Sequence, residues 1–327
     1  MSTTAGIAGS LARVGLASLP TPLQRAPRLS DALGVEVLLK RDDLTGIGLG
    51  GNKVRGLEFL LGEGIARGCD VLVTGSGPQS NWAFLAALAA RRCGMDAALC
   101  FYGDPPAQPR GNLMLQSLTG ARIRYTGDRD RASVDPVLED IATELRAEGR
   151  VPLVLPRGGA TGLGSVGYVV GARETADQVA AEALPSPQFW LATGSCGTQA
   201  GLEVGAAEGW FAGVTGVTVS RSAQECVDRV HRLAHEAAGL TGLSGPDLAG
   251  IEVRDGWIGA GYGVASDAGR AAAALVAKTE GILLDPFFGA KAMAALVDEA
   301  RHGSLAGPIV FLVSGGAPTI FAEGGGL

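Results

Sequence analysis

Lys53 follows two glycines and an asparagine, Gly50-Gly51-Asn52-Lys53, and opens the helical run Val54-Arg55-Gly56-Leu57-Glu58-Phe59-Leu60-Leu61. The glycines give a tight bend. A lysine at the positive end of a helix has its ammonium form disfavoured, and partial burial pushes the same way. A neutral amine is what Schiff-base chemistry requires; a surface lysine behind a glycine turn reads alike in isolation. Three further turns accompany it. In Thr74-Gly75-Ser76-Gly77-Pro78-Gln79-Ser80-Asn81, Ser80 or Asn81 caps a helical stretch from Trp82 to Arg92. The N–H groups there could hold a carboxylate and the Ser80 hydroxyl could pass a proton, although capping alone also accounts for the turn. Thr193-Gly194-Ser195-Cys196-Gly197-Thr198 lies between a strand and a helix starting near Gln199. Consecutive N–H groups in such a turn make a phosphate cradle, with an ordinary capped glycine turn as the plainer alternative. The pattern is neither a Walker A loop nor G-x-G-x-x-G, which suits a single phosphate better than a dinucleotide. Cys196 has no base near it in sequence and reads as a small residue filling the loop rather than a nucleophile. In Ser314-Gly315-Gly316-Ala317-Pro318 a neutral hydroxyl could meet a ring nitrogen, or the stretch could be a simple strand-end turn.

The elements that must position these turns alternate. Short apolar runs at Val35–Leu39, Val71–Thr74, Ala97–Phe101, Pro152–Leu155, Phe189–Ala192, Val214–Val219 and Pro308–Val313 are separated by helical stretches. Those stretches include Trp82–Arg92, Val134–Glu148, Val166–Ala183 and Ala268–Glu280. Strands separated by helices imply βαβ units and parallel sheet. Near-continuous apolar strands imply burial on both faces. Gly103 to Gly111 reads as a surface turn cluster. Ligands of open α/β sheets sit beyond the carboxyl ends of the strands, where all four turns fall.

The 327 residues are 46% hydrophobic and 18% charged, so the chain can bury a large core and is not disordered. A net charge of −6 argues against a nucleic-acid surface. No apolar run approaches a membrane span, and Met1 to Leu19 lacks the basic start and compact apolar core of a signal peptide. Five cysteines with no C-x-x-C pair suggest reduced thiols and a cytoplasmic setting. Of the three histidines, His231 and His235 share a helix face without a third ligand, so no metal is expected.

Taken together, the turns resemble the pyridoxal-phosphate enzymes of the tryptophan-synthase β type. More narrowly, they resemble the branch that holds D-cysteine desulfhydrase and 1-aminocyclopropane-1-carboxylate deaminase. The resemblance covers nearly the whole chain. It runs through Leu19-Pro20-Thr21-Pro22-Leu23, Lys40-Arg41-Asp42-Asp43-Leu44, Gly50 to Arg55, Gln79-Ser80-Asn81, Pro156-Arg157-Gly158-Gly159-Ala160 and Gly167-Tyr168-Val169. It continues through Gly194 to Gly201, Gly261-Tyr262-Gly263, Leu284-Asp285-Pro286, Lys291-Ala292-Met293 and Ser314 to Pro318. It implies two open parallel-sheet α/β domains, residues 1–56 plus 166–327 and an inserted 57–165, with pyridoxal 5'-phosphate in the cleft between them. It also implies a homodimer.

By the same resemblance Lys53 carries the cofactor as a Schiff base and moves the proton at the substrate α-carbon. Ser80 binds the substrate carboxylate and shuttles protons, with Gln79 beside it at the substrate. Asn81 meets the cofactor's ring hydroxyl. Gly194, Ser195, Cys196, Gly197 and Thr198 hold the phosphate. Ser314 faces the pyridine nitrogen, and Tyr262 lies at the substrate. A neutral hydroxyl at that nitrogen does not force ring protonation, which favours β-elimination and replacement over transamination.

Three positions depart from the family. Trp82 replaces a histidine or glutamine, Phe288 replaces a tyrosine, and Gly289 stands where the cyclopropane deaminase has a glutamate. Phe288 cannot exchange a proton. The substrate pocket, with Trp82, Phe287 and Phe288, is expected to be more aromatic and poorer in polar groups. The leading expectation is a lyase performing α,β-elimination on a small amino acid with a sulfur-type β-leaving group, giving a 2-oxo acid and ammonia. The alternatives are β-replacement, cyclopropane deamination and a non-catalytic cofactor-binding paralogue.

Overall fold

A computed structural model describes residues 4–322; Met1, Ser2 and Thr3, part of the segment read for a leader, lie outside the described residues. The strands are β1 (Leu23–Arg25), β2 (Val37–Arg41), β3 (Val71–Ser76), β4 (Asp96–Phe101), β5 (Arg122–Tyr125), β6 (Pro152–Val154), β7 (Gln188–Thr193), β8 (Gly213–Thr218), β9 (Glu252–Arg254) and β10 (Ile309–Val313). The helices are α1 (Thr4–Ile7), α2 (Pro27–Leu33), α3 (Lys53–Ala66), α4 (Asn81–Arg92), α5 (Gly111–Ser117), α6 (Val134–Ala147), α7 (Gly162–Ala181), α8 (Gly197–Ala207), α9 (Ala223–Thr241), α10 (Asp267–Glu280) and α11 (Gly289–Arg301).

Two sheets result. One has the order β1-β2-β10-β7-β8-β9, the other β5-β4-β3-β6. Every pairing is parallel except that of β1 with β2. Side chains alternate across the larger sheet, as the period of two requires. Leu38, Phe189, Leu191, Val310 and Leu312 face α7 and α8. Val37, Leu39, Trp190, Ile309 and Phe311 face α10 and α11. The smaller sheet does the same: Leu72, Leu99 and Phe101 pack on α3 and α4, while Val71, Val73, Ala98 and Cys100 pack on α6. Burial on both faces is why these strands read as unbroken apolar runs. Of the four edge strands, β1, β5 and β9 escape that pattern because they carry charged or amide side chains, whereas β6 is apolar.

A buried ionic cluster joins the elements around Lys53. Arg55, two residues on in α3, donates Nε to Asp42 Oδ2 (2.7 Å) and Nη2 to Asp42 Oδ1 (2.8 Å) and Glu174 Oε1 (2.8 Å). Lys40 on β2 donates Nζ to Glu174 Oε1 at 2.6 Å, and the Tyr168 hydroxyl of α7 donates to Asp42. Thr21 Oγ1 donates to Asp42 Oδ1 at 2.7 Å. Burial opposes the charge on Arg55, but Asp42 and Glu174 outweigh it and hold the guanidinium well above its ordinary value. Burial likewise opposes the Asp42 and Glu174 carboxylates, and Arg55 holds both below theirs.

Removing one member of a buried ion pair strands the others without a counter-charge. Arg55→Ala is expected to cost about 3–5 kcal/mol, read as a lower denaturant midpoint. A midpoint equal to that of the unsubstituted protein would show that the cluster does not hold α3 to β2 and α7.

Candidate active site

Lys53 is the first residue of α3. The bend before it needs glycine: Gly50 has φ +74°, and a Cβ there would lie 1.7 Å from the Asp43 carbonyl oxygen. Thr45 ties the bend down, its Oγ1 accepting from Gly51 N (2.8 Å) and donating to Gly51 O (3.0 Å). Asn52 N donates to Ser314 O at 3.0 Å, which pins the start of α3 to the end of β10. The Asn52 side chain donates to Thr198 Oγ1 at 3.0 Å, linking it to α8. Burial pushes the Lys53 ammonium down to about 8, so at neutral pH roughly a tenth of the amine is free base.

At the start of α4, Ser80 is the N-cap and accepts from Ala83 N at 3.2 Å. Asn81 Oδ1 accepts from Asn112 Nδ2 at 2.6 Å. Trp82 is buried, and its indole N–H donates to Thr74 Oγ1 at 2.9 Å. Its ring lies so close to Gly159 that a Cβ there would come within 2.3 Å of it. Gln79 turns away from the cleft: its amide donates to Arg110 O (2.9 Å) and accepts from Asn112 N (3.0 Å), anchoring α5.

α8 begins at Gly197, two residues before the expected Gln199. Cys196 precedes it in the left-handed conformation, φ 73°, with no side chain capping the helix. The carbonyls of this turn are taken by arginines. Arg221 donates to Gly194 O, and Arg229 Nε donates to Ser195 O at 3.1 Å. The Cys196 thiol is buried beside Cys226. The hydrogen bond to Cys226 and burial push it up, so it stays a thiol.

These ends meet in one cleft of about 830 Å³, counting the part open to solvent. Lys53, Ser80, Asn81, Trp82, Gly194, Ser195, Tyr262, Phe288 and Ser314 all line it. A smaller adjoining cavity shares Lys53, Trp82 and Ser195 and adds Gly197 and Thr198. Gln79 and Cys196 line neither, and Phe287 is buried elsewhere. Tyr262 packs edge-on against Phe288 with ring centres 5.9 Å apart. Burial pushes its hydroxyl up to about 12, so it holds its proton at neutral pH.

The expected shortage of polar groups is not met. Ser76, Tyr102, Arg131, Arg157, Ser220 and Arg221 line the cleft as well. They come from strand ends and loops far apart in the sequence. Ser76, in the second glycine turn, and Arg157, in the stretch Pro156 to Ala160, carried a signal, and it gave neither of them a role. Among the described residues no group of three or more His, Cys, Asp or Glu could hold a metal, and no helix is long and apolar enough to cross a membrane.

The smaller cavity fits a phosphate. The first N–H groups of α8 lack a side-chain cap, and glycines 158, 159, 164 and 197 keep the space clear of side chains. Lys53 stands between this cavity and the main cleft. A phosphorylated aldehyde is the ligand such an arrangement admits, and residues 14–315 match the family model described as pyridoxal-phosphate dependent enzyme. The chain belongs to this family, and its cofactor is pyridoxal 5'-phosphate. Among its relatives, the D-cysteine desulfhydrase of Salmonella choleraesuis is 40% identical over 321 residues, 95% of each chain. A Pyrococcus abyssi protein provisionally named 1-aminocyclopropane-1-carboxylate deaminase is 38% identical over 319 residues, 95% of this chain and 94% of the other. The crystal structure of an ACC deaminase homologue superposes with a TM-score of 0.90 at 35% identity, covering 98% of this chain and 97% of that one.

Because burial lowers the Lys53 value, the reactive neutral amine gains population as pH rises through about 8 rather than through 10.5. Cofactor-free protein mixed with pyridoxal phosphate is expected to develop visible Schiff-base absorbance with an initial rate that climbs through that lower range. A midpoint near 10.5, or the same absorbance from Lys53→Ala, would remove Lys53 from this role.

Proposed function

We propose that the protein is a lyase that eliminates a sulfur-type β-substituent from a small amino acid, in the manner of D-cysteine desulfhydrase with an altered substrate pocket. The observation that carries this reading is Lys53: a partly buried amine with a lowered proton affinity, set between a phosphate-sized cavity and a wider cleft. The relatives named as D-cysteine desulfhydrase and as 1-aminocyclopropane-1-carboxylate deaminase homologue support it.

When bound, the cofactor supplies an electron-withdrawing ring that acidifies the substrate α-carbon. The residues of the chain do the rest. Thr198, with the backbone N–H groups of the Gly194–Gly197 turn, holds the phosphate; Cys196 contributes its backbone alone. Asn81 meets the ring hydroxyl and Ser314 the ring nitrogen. The N-terminus of α4 receives the substrate carboxylate at Ser80. Lys53 Nζ takes the α-proton, and the carbon–sulfur bonding pair leaves with the sulfur as thiolate. A thiolate needs little acid assistance, since its conjugate acid has a pKa of about 8.5. The released enamine takes up water and yields the 2-oxo acid and ammonia. Tyr262, protonated at neutral pH, is the donor on the substrate side. Gln79 acts one layer back by fixing α5 against the turn that carries Ser80. The two sheets support a division into residues 1–56 plus 166–327 and residues 57–165, with the site between the two parts. We place the enzyme in the cytoplasm as a homodimer.

Ser80→Ala is expected to lower turnover about 10²-fold while cofactor capture stays unchanged, because the phosphate is held at α8. Loss of cofactor with normal turnover per bound cofactor would make Ser80 a cap and nothing more. The Phe288 ring lies against Tyr262 but carries no hydroxyl. Phe288→Tyr is expected to raise D-cysteine turnover without opening the cyclopropane amino acid, since Gly289 supplies no carboxylate. Steady-state assays of both proteins on D-cysteine, L-cysteine derivatives and the cyclopropane substrate read this out. Efficient ring opening by the unsubstituted enzyme would refute it.

A further inference from the structure

The cleft has more positive charge than its two anticipated anions use. Three arginines line it, Arg131, Arg157 and Arg221, and among the described residues no aspartate or glutamate does. This occurs in a chain whose net charge is −6. On the reading above, the cofactor phosphate takes the start of α8 and the substrate carboxylate takes the start of α4, neither through an arginine.

Two of the arginines have partners. Arg157 donates to both oxygens of Asp135, at 3.1 and 3.0 Å, and Arg221 donates to the Gly194 carbonyl. Arg131 differs. Its guanidinium carbon lies 5.4 Å from the centre of the Tyr262 ring, and among the described residues no carboxylate lies within ion-pair distance of it. Glu225, an acid near enough to feel its charge, is engaged by Ser222 in the cap of α9. A guanidinium stacked on a ring keeps its in-plane N–H donors available, and that fork matches the oxygens of a carboxylate, sulfonate or phosphate.

We propose that Arg131 binds a second, fixed negative charge on the substrate's side chain, with Arg157 and Arg221 adding to the field, so that the preferred substrates are amino acids with an anionic side chain. The inference rests on the reading of this cleft as the substrate site. Tyr262 then has a second role: its ring orients Arg131 while its face toward Phe288 closes the aromatic wall.

The test uses the cofactor-loaded enzyme and two ligands that lack an amino group and cannot react, 3-sulfopropanoate and propanoate. Calorimetry is expected to give 3-sulfopropanoate at least about tenfold tighter binding, the scale of one charge-assisted hydrogen-bonded pair. Arg131→Gln is expected to collapse that ratio toward one, and Arg131→Lys to restore part of it by returning the charge without the fork. In steady-state assays the KM ratio between cysteine and cysteate, each as D and L forms, is expected to shift by a similar factor in Arg131→Gln. Equal affinity for the two ligands in the unsubstituted enzyme would overturn the proposal. So would an Arg131→Gln protein that keeps the ratio, or one that loses cofactor instead, which would assign the arginine to the phosphate. Elimination from neutral amino acids without any anion preference would sink this inference and leave the lyase reading standing. Anion preference in the calorimetry with no turnover of any amino acid would do the reverse.

Discussion

The site depends on a cluster of charges that water does not reach. Arg55 is 1% exposed and Asp42 is fully buried, and each would be costly there alone. Together with Glu174, Lys40, Thr21 and Tyr168 they satisfy one another across β2, α3 and α7. The cluster's arginine lies two residues from Lys53, so the geometry that neutralises Arg55 also fixes the first turn of α3. Around that turn, Thr45 and the backbone of Ser314 hold the glycine bend. The fold thus separates two tasks. Buried ion pairs set where Lys53 stands, and the lower-dielectric surroundings set what its amine can do.

A second separation divides anion binding from side-chain chemistry. The starts of α4 and α8 present backbone donors, which do not titrate and lose no rotamer freedom when they bind. Several side chains near these starts brace the turns through their backbone. Arg221 and Arg229 engage the carbonyls of the α8 turn, and Gln79 and Asn112 brace the α4 turn. Substitutions at these supporting positions act on the site through the loops they steady.

The central strands and long helices were legible because their cues are local. Val71–Ser76 and Ile309–Val313 are continuous apolar runs, and Ser80 stands before an apolar helical stretch as a cap should. The start of α8 falls two residues before Gln199, behind Cys196 in a left-handed backbone conformation rare in residues other than glycine and asparagine, which the sequence does not signal. The edge strand Arg122–Tyr125 alternates arginine with apolar residues and has no core on one face, so it carries no buried-strand signal. The arginines of the cleft were illegible for a different reason. Arg131, Arg157 and Arg221 sit on separate connections, and only the packing of two sheets brings them to one cleft. The resemblance gave roles to the residues of the family's motifs and none to the arginines of the cleft.

The convergence of helix starts on the cleft has a consequence for how the protein is assembled. α3, α4 and α8 all begin at its lining, so three positive dipole ends and three arginines border a shared space. By contrast, α11 begins with its own carboxylate, since Asp285 accepts from the N–H groups of Phe287, Phe288 and Gly289. The like-signed ends repel one another until an anion comes between them. Phosphate binding therefore acts as internal counter-ion placement as well as cofactor capture. It adds its binding free energy to the stability of the folded chain. A cofactor that binds the folded chain alone therefore contributes to folding as well as to reaction.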